Sequence, residues 1–242
     1  TGTLLTYYIL SRWQEEKRFK GNEYTIKTIV TSELIEEVSQ FFGVKNYDVL
    51  TGFKFIADKI LALEGKETYI CGGEESYGFL IGDFVRDKDA VSACCLMAEL
   101  AAQAITEKSF AFKELLKIYK EYGIFKEDLL SITKKGKDGL EEIKQMMINY
   151  RNHPPKEINN SQVVMIKDYW QQVSIDCLTG VKTPISLPQS DVLQFFTADD
   201  TKVTIRPSGT EPKIKFYFAV KGELQKYVDF EKENQKLADK IK

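Results

Sequence analysis

Histidine is nearly absent from this chain of 242 residues, and so is any bias of charge or long apolar run. His153 is the only histidine. It stands beside Pro154 and Pro155, which marks it as a linker residue and leaves no histidine for a nucleophilic triad. The four cysteines, Cys71, Cys94, Cys95 and Cys177, show no C-x-x-C spacing. Vicinal Cys94 and Cys95 on a helix are poorly placed to bridge each other, and no metal-ligand pairing is present, so no metal site is expected. The expectation is buried free thiols in a reducing cytoplasm.

Basic and acidic residues number 34 and 36, which gives no electrostatic reason to expect nucleic acid as a partner. The longest apolar stretch, 91–105, is interrupted by Glu99 and Gln103 and reads as a buried helix, not a membrane span. Thr1-Gly2-Thr3-Leu4-Leu5 lacks the basic start of a signal peptide. What remains is a globular balance, with 43% hydrophobic and 29% charged residues and length enough for one large domain or two ordinary ones.

The first half alternates strand and helix. Residues 4–19 carry a helical stripe of Leu5, Tyr8, Ile9 and Trp13, and the β-branched run 24–30 predicts a strand. Thr31 or Ser32 offers an N-cap to a helix that Gly43 ends. A strand at 47–50, a helix at 53–63 and a strand at 68–71 follow, then a long loop and helices at 91–106 and 110–122, the last capped by Ser109. The charged stretch 126–152 includes a helix near 140–150 and breaks at His153-Pro154-Pro155. Beyond it the pattern is β, at 163–167, 192–197, 202–206 and 213–220, closed by a charged helix over 223–241. The predicted domains are 1–125, a mixed or mostly parallel α/β domain, and 156–242, a smaller α+β domain of four strands with helical cover. Residues 126–155 read as a helical linker or hinge.

Two segments carry chemistry. Arg206-Pro207-Ser208-Gly209-Thr210-Glu211-Pro212-Lys213 joins two predicted strands. Arg206 supplies a planar fork for two phosphate oxygens, Ser208 and Thr210 supply hydroxyl donors, and Gly209 lets the backbone approach an anion. An ordinary hairpin turn has a similar composition; the arginine with two hydroxyls tips the reading toward an anion site.

The second segment, Gly72-Gly73-Glu74-Glu75-Ser76-Tyr77-Gly78, follows a strand directly, where ligands of α/β sheets usually sit. Its carboxylates and hydroxyl suit sugar hydroxyls, although a bare Gly-Glu-Glu is more often a solvated turn. Lys54, Arg86 and Lys88 flank it in sequence and would give the pocket a positive rim. Glu74 and Glu75 as the acid–base pair of a hydrolase is a weaker alternative, because neighbouring loop residues rarely converge on one bond.

These segments, with Thr51-Gly52-Phe53-Lys54 and Arg86-Asp87-Lys88-Asp89, resemble in order the third and fourth domains of the phosphoglucomutase/phosphomannomutase superfamily. Glu74-Glu75-Ser76-Tyr77-Gly78 looks closest to the phosphoglucomutase and phosphopentomutase branch. The resemblance implies a TBP-like fourth domain and a hexose 1-phosphate/6-phosphate mutase acting through a bisphosphate intermediate. Glu74 and Ser76 would bind sugar hydroxyls, with Lys54 and Arg86 lining the cleft. Lys88 would stabilise phosphoryl charge, and Arg206, Ser208, Gly209, Thr210 and Lys213 would hold the other phosphate. In the family a phosphoserine and an Mg²⁺-binding Asp-Gly-Asp-Gly-Asp loop lie in the first two domains. Neither motif occurs here. The implied partners are a phosphorylated sugar and missing N-terminal domains of the same enzyme, with no cofactor in this chain, no nucleic acid and no membrane. A stand-alone phosphosugar-binding module without catalysis is the alternative.

Overall fold

Leu5, Tyr8 and Ile9 fall on one side of the first helix, α1 (Gly2–Glu15), and all three are buried. The structure is a computed structural model and describes residues 1–134, 136–209 and 211–242. Its chain divides into two compact units, Thr1–Phe125 with Glu223–Glu231, and Lys126–Gly222 with Lys232–Lys242.

After α1 come β1 (Glu23–Thr28), α2 (Leu34–Phe41), β2 (Lys45–Val49), α3 (Phe53–Leu63), β3 (Thr68–Glu74) and β4 (Gly78–Ile81). Helices α4 (Ala90–Thr106) and α5 (Ala111–Tyr122) follow. The strands form one mixed sheet in the order β2-β1-β3-β4, with β1 parallel to both β2 and β3 and β4 antiparallel to β3. Every residue of β1 is buried, as expected of a central strand covered on both faces. Neighbouring residues on one strand point to opposite faces. Ile70 and Phe79 therefore join the core under α1, α2, α4 and α5, while Tyr69 and Leu80 join the core under α3.

The long loop expected after the third strand is shorter than the sequence suggests, because β3 runs on to Glu74 and β4 pairs back onto it. Gly72 and Gly73 make the close packing of β3 against its neighbours possible. A Cβ on Gly72 would stand 2.2 Å from the Ile26 carbonyl oxygen, and one on Gly73 would stand 2.2 Å from the Gly78 carbonyl oxygen.

The second unit contains β5 (Ile124–Thr133), which begins at the end of the first, and then α6 (Gly136–Asn152), β6 (Glu157–Ile158), β7 (Ser161–Asp168), β8 (Val173–Asp176) and β9 (Lys182–Pro184). These are followed by β10 (Leu193–Thr197), β11 (Lys202–Pro207), β12 (Lys213–Gly222) and α7 (Phe230–Ile241). The sheet order is β5-β12-β11-β10-β7-β8-β9, with β6 paired to β7. The four predicted strands are the contiguous middle, β12-β11-β10-β7, and the α+β class holds. The sheet is wider than four strands because β5, β8 and β9 add to its edges.

Two expectations about organisation need correction. Residues 126–155 are not a free helical linker: β5 pairs into the sheet, and Ile143 and Met147 of α6 are buried in its core. Their spacing of four puts both on one helix face. Nor does 156–242 form one body, since residues 223–231 belong to the first unit, where the Phe230 ring stacks on Tyr119 at 6.0 Å and meets Phe112 at 5.4 Å. The regular part of the closing helix starts only at Phe230. The cysteines also depart from expectation: Cys71 is buried, but Cys94, Cys95 and Cys177 are exposed. Cys71 lies on β3 under α1, whereas Cys94 and Cys95 lie on the outer side of α4.

Candidate functional site

The parallel strands β1, β2 and β3 end on one edge of the first sheet, the edge where α/β proteins place ligands. Glu74 is the last residue of β3, and its Oε1 accepts a hydrogen bond from the Gly52 N–H at 2.8 Å. Gly52 precedes α3 with φ +126°, a conformation open to glycine and strained for other residues. Gly78 faces Glu74 across the hairpin. A Cβ there would lie 3.3 Å from Lys88 Cδ, 3.4 Å from Glu74 Oε2 and 3.4 Å from the Phe53 ring. Glycine at 78 thus leaves a niche walled by a carboxylate, a lysine stem and an aromatic ring. The Lys88 ammonium stands 5.5 Å from the Phe53 ring centroid and 3.3 Å from Asp87. The backbone N–H of Lys88, then its ammonium, hold the Asp87 carboxyl below its ordinary range.

Other predicted residues sit differently. Ser76 is exposed in the turn between β3 and β4, beside Tyr77 with φ 61°. Lys54, in the first turn of α3, places its ammonium 4.9 Å from the Phe55 ring centroid. Arg86 does not join the niche. Its guanidinium donates to Glu64 at 2.9 Å and to the Asp83 carbonyl. Glu64 follows the C-terminus of α3, about 16 Å along an 11-residue helix from the end that carries Gly52. A carboxylate and a carbonyl at that far end hold the guanidinium there.

Sequence reasoning missed Lys27. It is fully buried on β1, with its ammonium 2.7 Å from Asp48 and 2.8 Å from Glu33. Burial alone would lower its pKa, but Asp48 and Glu33 outweigh that and raise it. Nearby Glu36 has a raised pKa, caused first by burial. The readable signal was a lysine among the aromatic, apolar and β-branched residues of 24–28. Thr31 or Ser32 was expected to cap α2, but Glu33 occupies the cap position; the Thr31 and Thr28 hydroxyls are instead 2.9 Å apart, one donating to the other, and lie 3.4 and 3.3 Å from Glu75 Oε2.

In the second unit, the other predicted loop is a hairpin between β11 and β12. Arg206 lies directly across from Lys215, so two cations share one face of the pair. Like charges in such a pair repel, and an anion between them would remove the conflict. The Ser208 N–H donates to the Lys213 carbonyl at 2.7 Å, and Ser208 Oγ accepts from the Glu211 N–H at 3.4 Å. Gly209 is exposed, and a Cβ on it would meet nothing within 4 Å. The Lys213 ammonium is 2.8 Å from Glu211, whose pKa it lowers. Thr210 lies outside the described residues. Among the described residues no group of three or more His, Cys, Asp or Glu side chains could hold a metal ion.

The first unit is thus a sheet covered by helices on both faces, with Glu74 at a strand end beside Lys88, and the second is a β-rich unit with a basic hairpin. Residues 1–122 match the family model for phosphoglucomutase/phosphomannomutase, alpha/beta/alpha domain III, and the chain belongs to that family. It is 36% identical over 220 residues to a phosphoglucomutase of Staphylococcus aureus, a match covering 91% of this chain and 39% of that relative. Among solved structures it is similar to the phosphoglucomutase pp63/parafusin of Paramecium, with TM-score 0.61 and 14% identity over 99% of this chain and 41% of that one. A putative phosphomannomutase of Thermus thermophilus gives TM-score 0.56 and 15% identity, covering 98% and 40%. These two likenesses concern the fold.

Proposed function

We propose that this chain is the sugar- and phosphate-binding part of an intramolecular phosphotransferase that interconverts hexose 1-phosphate and hexose 6-phosphate, with glucose or mannose as the sugar, through a bisphosphate intermediate. The observation that carries the reading is the convergence of Glu74, Gly52 and Lys88 around Gly78, inside the segment that matches domain III. Glu74 and Ser76 bind sugar hydroxyls, and Lys54 lines the same edge. Lys88 neutralises phosphoryl charge, the main task in a transfer that depends on positioning and electrostatics. Arg206, Ser208, Gly209, Thr210 and Lys213 bind the phosphate that is not being transferred. Arg86 has no part in this reading, because Glu64 holds it elsewhere. The nucleophilic serine and the Mg²⁺ loop belong to polypeptide outside this chain, so the chain alone turns nothing over. A cytoplasmic setting accords with four unpaired thiols.

Calorimetric titration with glucose 1-phosphate and glucose 1,6-bisphosphate tests the proposal. Arg206→Ala should weaken binding by roughly tenfold or more, as expected for loss of a charge-assisted hydrogen bond. No heat at millimolar ligand from the unaltered chain, together with no effect of the variant, would reject it.

A further inference from the structure

Helix α4 carries the longest apolar stretch of the chain, and such a sequence suits burial on every side. The structure buries one side only. Leu100 and Ala104 are buried, and Ala93, Leu96 and Met97 pack against the first unit's core. On the opposite side Val91, Cys94, Cys95, Ala98, Ala102 and Ile105 are exposed, Val91 by 73% and Ile105 by 71%. At 3.6 residues per turn these six fall within a stripe about 100° wide. Glu99, on its border, is engaged by the Tyr8 hydroxyl at 2.9 Å. An uncharged, continuous apolar face of this kind marks an interaction surface, unlike scattered exposed residues. Among the described residues no single helix is long and apolar enough to cross a membrane.

The relatives indicate what covers it. This chain spans 39% of the length of the Staphylococcus aureus phosphoglucomutase, so that relative carries further polypeptide. The N-terminus of α4 adjoins the niche: Asp89 follows Lys88, and its N–H donates to the Phe79 carbonyl at 2.9 Å. We propose that the exposed face of α4 seats the polypeptide that phosphoglucomutase relatives carry in addition, with its Val91 end bringing that polypeptide beside Glu74 and Lys88. The inference rests on the functional reading above.

Thiol footprinting with N-ethylmaleimide, read by mass spectrometry, tests it. Cys94 and Cys95 report on the stripe, buried Cys71 is the unreactive reference and Cys177 the reactive one. In the chain alone, Cys94 and Cys95 should label as readily as Cys177. With the uncovered part of the Staphylococcus aureus phosphoglucomutase joined in one polypeptide, they should label at least about tenfold more slowly relative to Cys177, as burial in a packed interface requires. Equal rates in both proteins would overturn the proposal. Should the joined protein not fold, the intact relative with a cysteine at the position matching Ala98 gives the same reading: slow labelling in buffer and fast labelling in urea support the seat, and fast labelling in both overturns it. A dimer of this chain that Ala98→Glu dissociates, or flotation with phosphatidylcholine–phosphatidylglycerol vesicles, would overturn it in favour of a second copy or a membrane. Protected cysteines without sugar-phosphate binding would sink the functional reading alone, and binding with unprotected cysteines would sink this inference alone.

Discussion

The Glu74 carboxylate takes its 2.8 Å hydrogen bond from the N–H of Gly52, which ties the end of β3 to the turn that starts α3. That turn depends on φ +126° at Gly52. Gly52→Ala should therefore cost about 1–3 kcal/mol of stability in urea unfolding. It should also weaken glucose 1-phosphate binding, because Glu74 loses its anchor. An unchanged urea midpoint would show that the turn accommodates a side chain.

Glu36 gives stability a distinct pH dependence. Its folded pKa is raised above the ordinary carboxyl value, first by burial, so the folded chain binds its proton more tightly than the unfolded chain does. Stability from this group is present below the unfolded value and falls as pH rises through the raised one. Glu36→Gln should remove that decline, flattening stability above the ordinary carboxyl pKa and raising it at neutral pH. Urea melts across that range check the slope; an unaltered slope would place the effect on another group.

Arg151 bonds Asp168 at 3.3 Å and also Asp191, and the Asp168 side chain is only 7% exposed. Arg151→Ala leaves a buried carboxylate without its cation and should cost about 3 kcal/mol. Adding Asp168→Asn should restore part of the loss. A loss within experimental error would mean that α6 is not held by this cluster.

Glu211 neutralises Lys213 at 2.8 Å within the hairpin. Glu211→Gln should release the lysine and tighten binding of inorganic phosphate severalfold, with a steeper salt dependence. Calorimetry at two salt concentrations reads both effects. Weaker binding would mean that the pair serves to shape the loop.

Local pattern explains what was legible. Helix α3 lies at 53–63 as read, because its apolar spacing and the glycine before it are local signals. Strands β10 and β11 flank a turn rich in Asp and Thr and were equally plain. Strand β4 was missed because its pairing depends on close backbone approach at Gly73, which periodicity does not register. Strand β5 was missed because most of its side chains are exposed and its sequence shows no buried alternation.

The site divides along the same line. Glu74, Lys88 and Arg206 were visible as chemistry-bearing types in distinctive local motifs. Lys27 was not, because its partners Glu33 and Asp48 come from separate elements and meet only when β1, β2 and α2 pack.

By itself, then, the order of residues determined the family, the types of side chain at each loop and most of the regular elements, since all of these depend on neighbours along the chain. Tertiary structure alone decided that Arg86 turns away to Glu64, that Lys27 is buried among carboxylates and that one face of α4 stays open. Those outcomes depend on which groups from distant segments compete for the same charge or the same apolar surface.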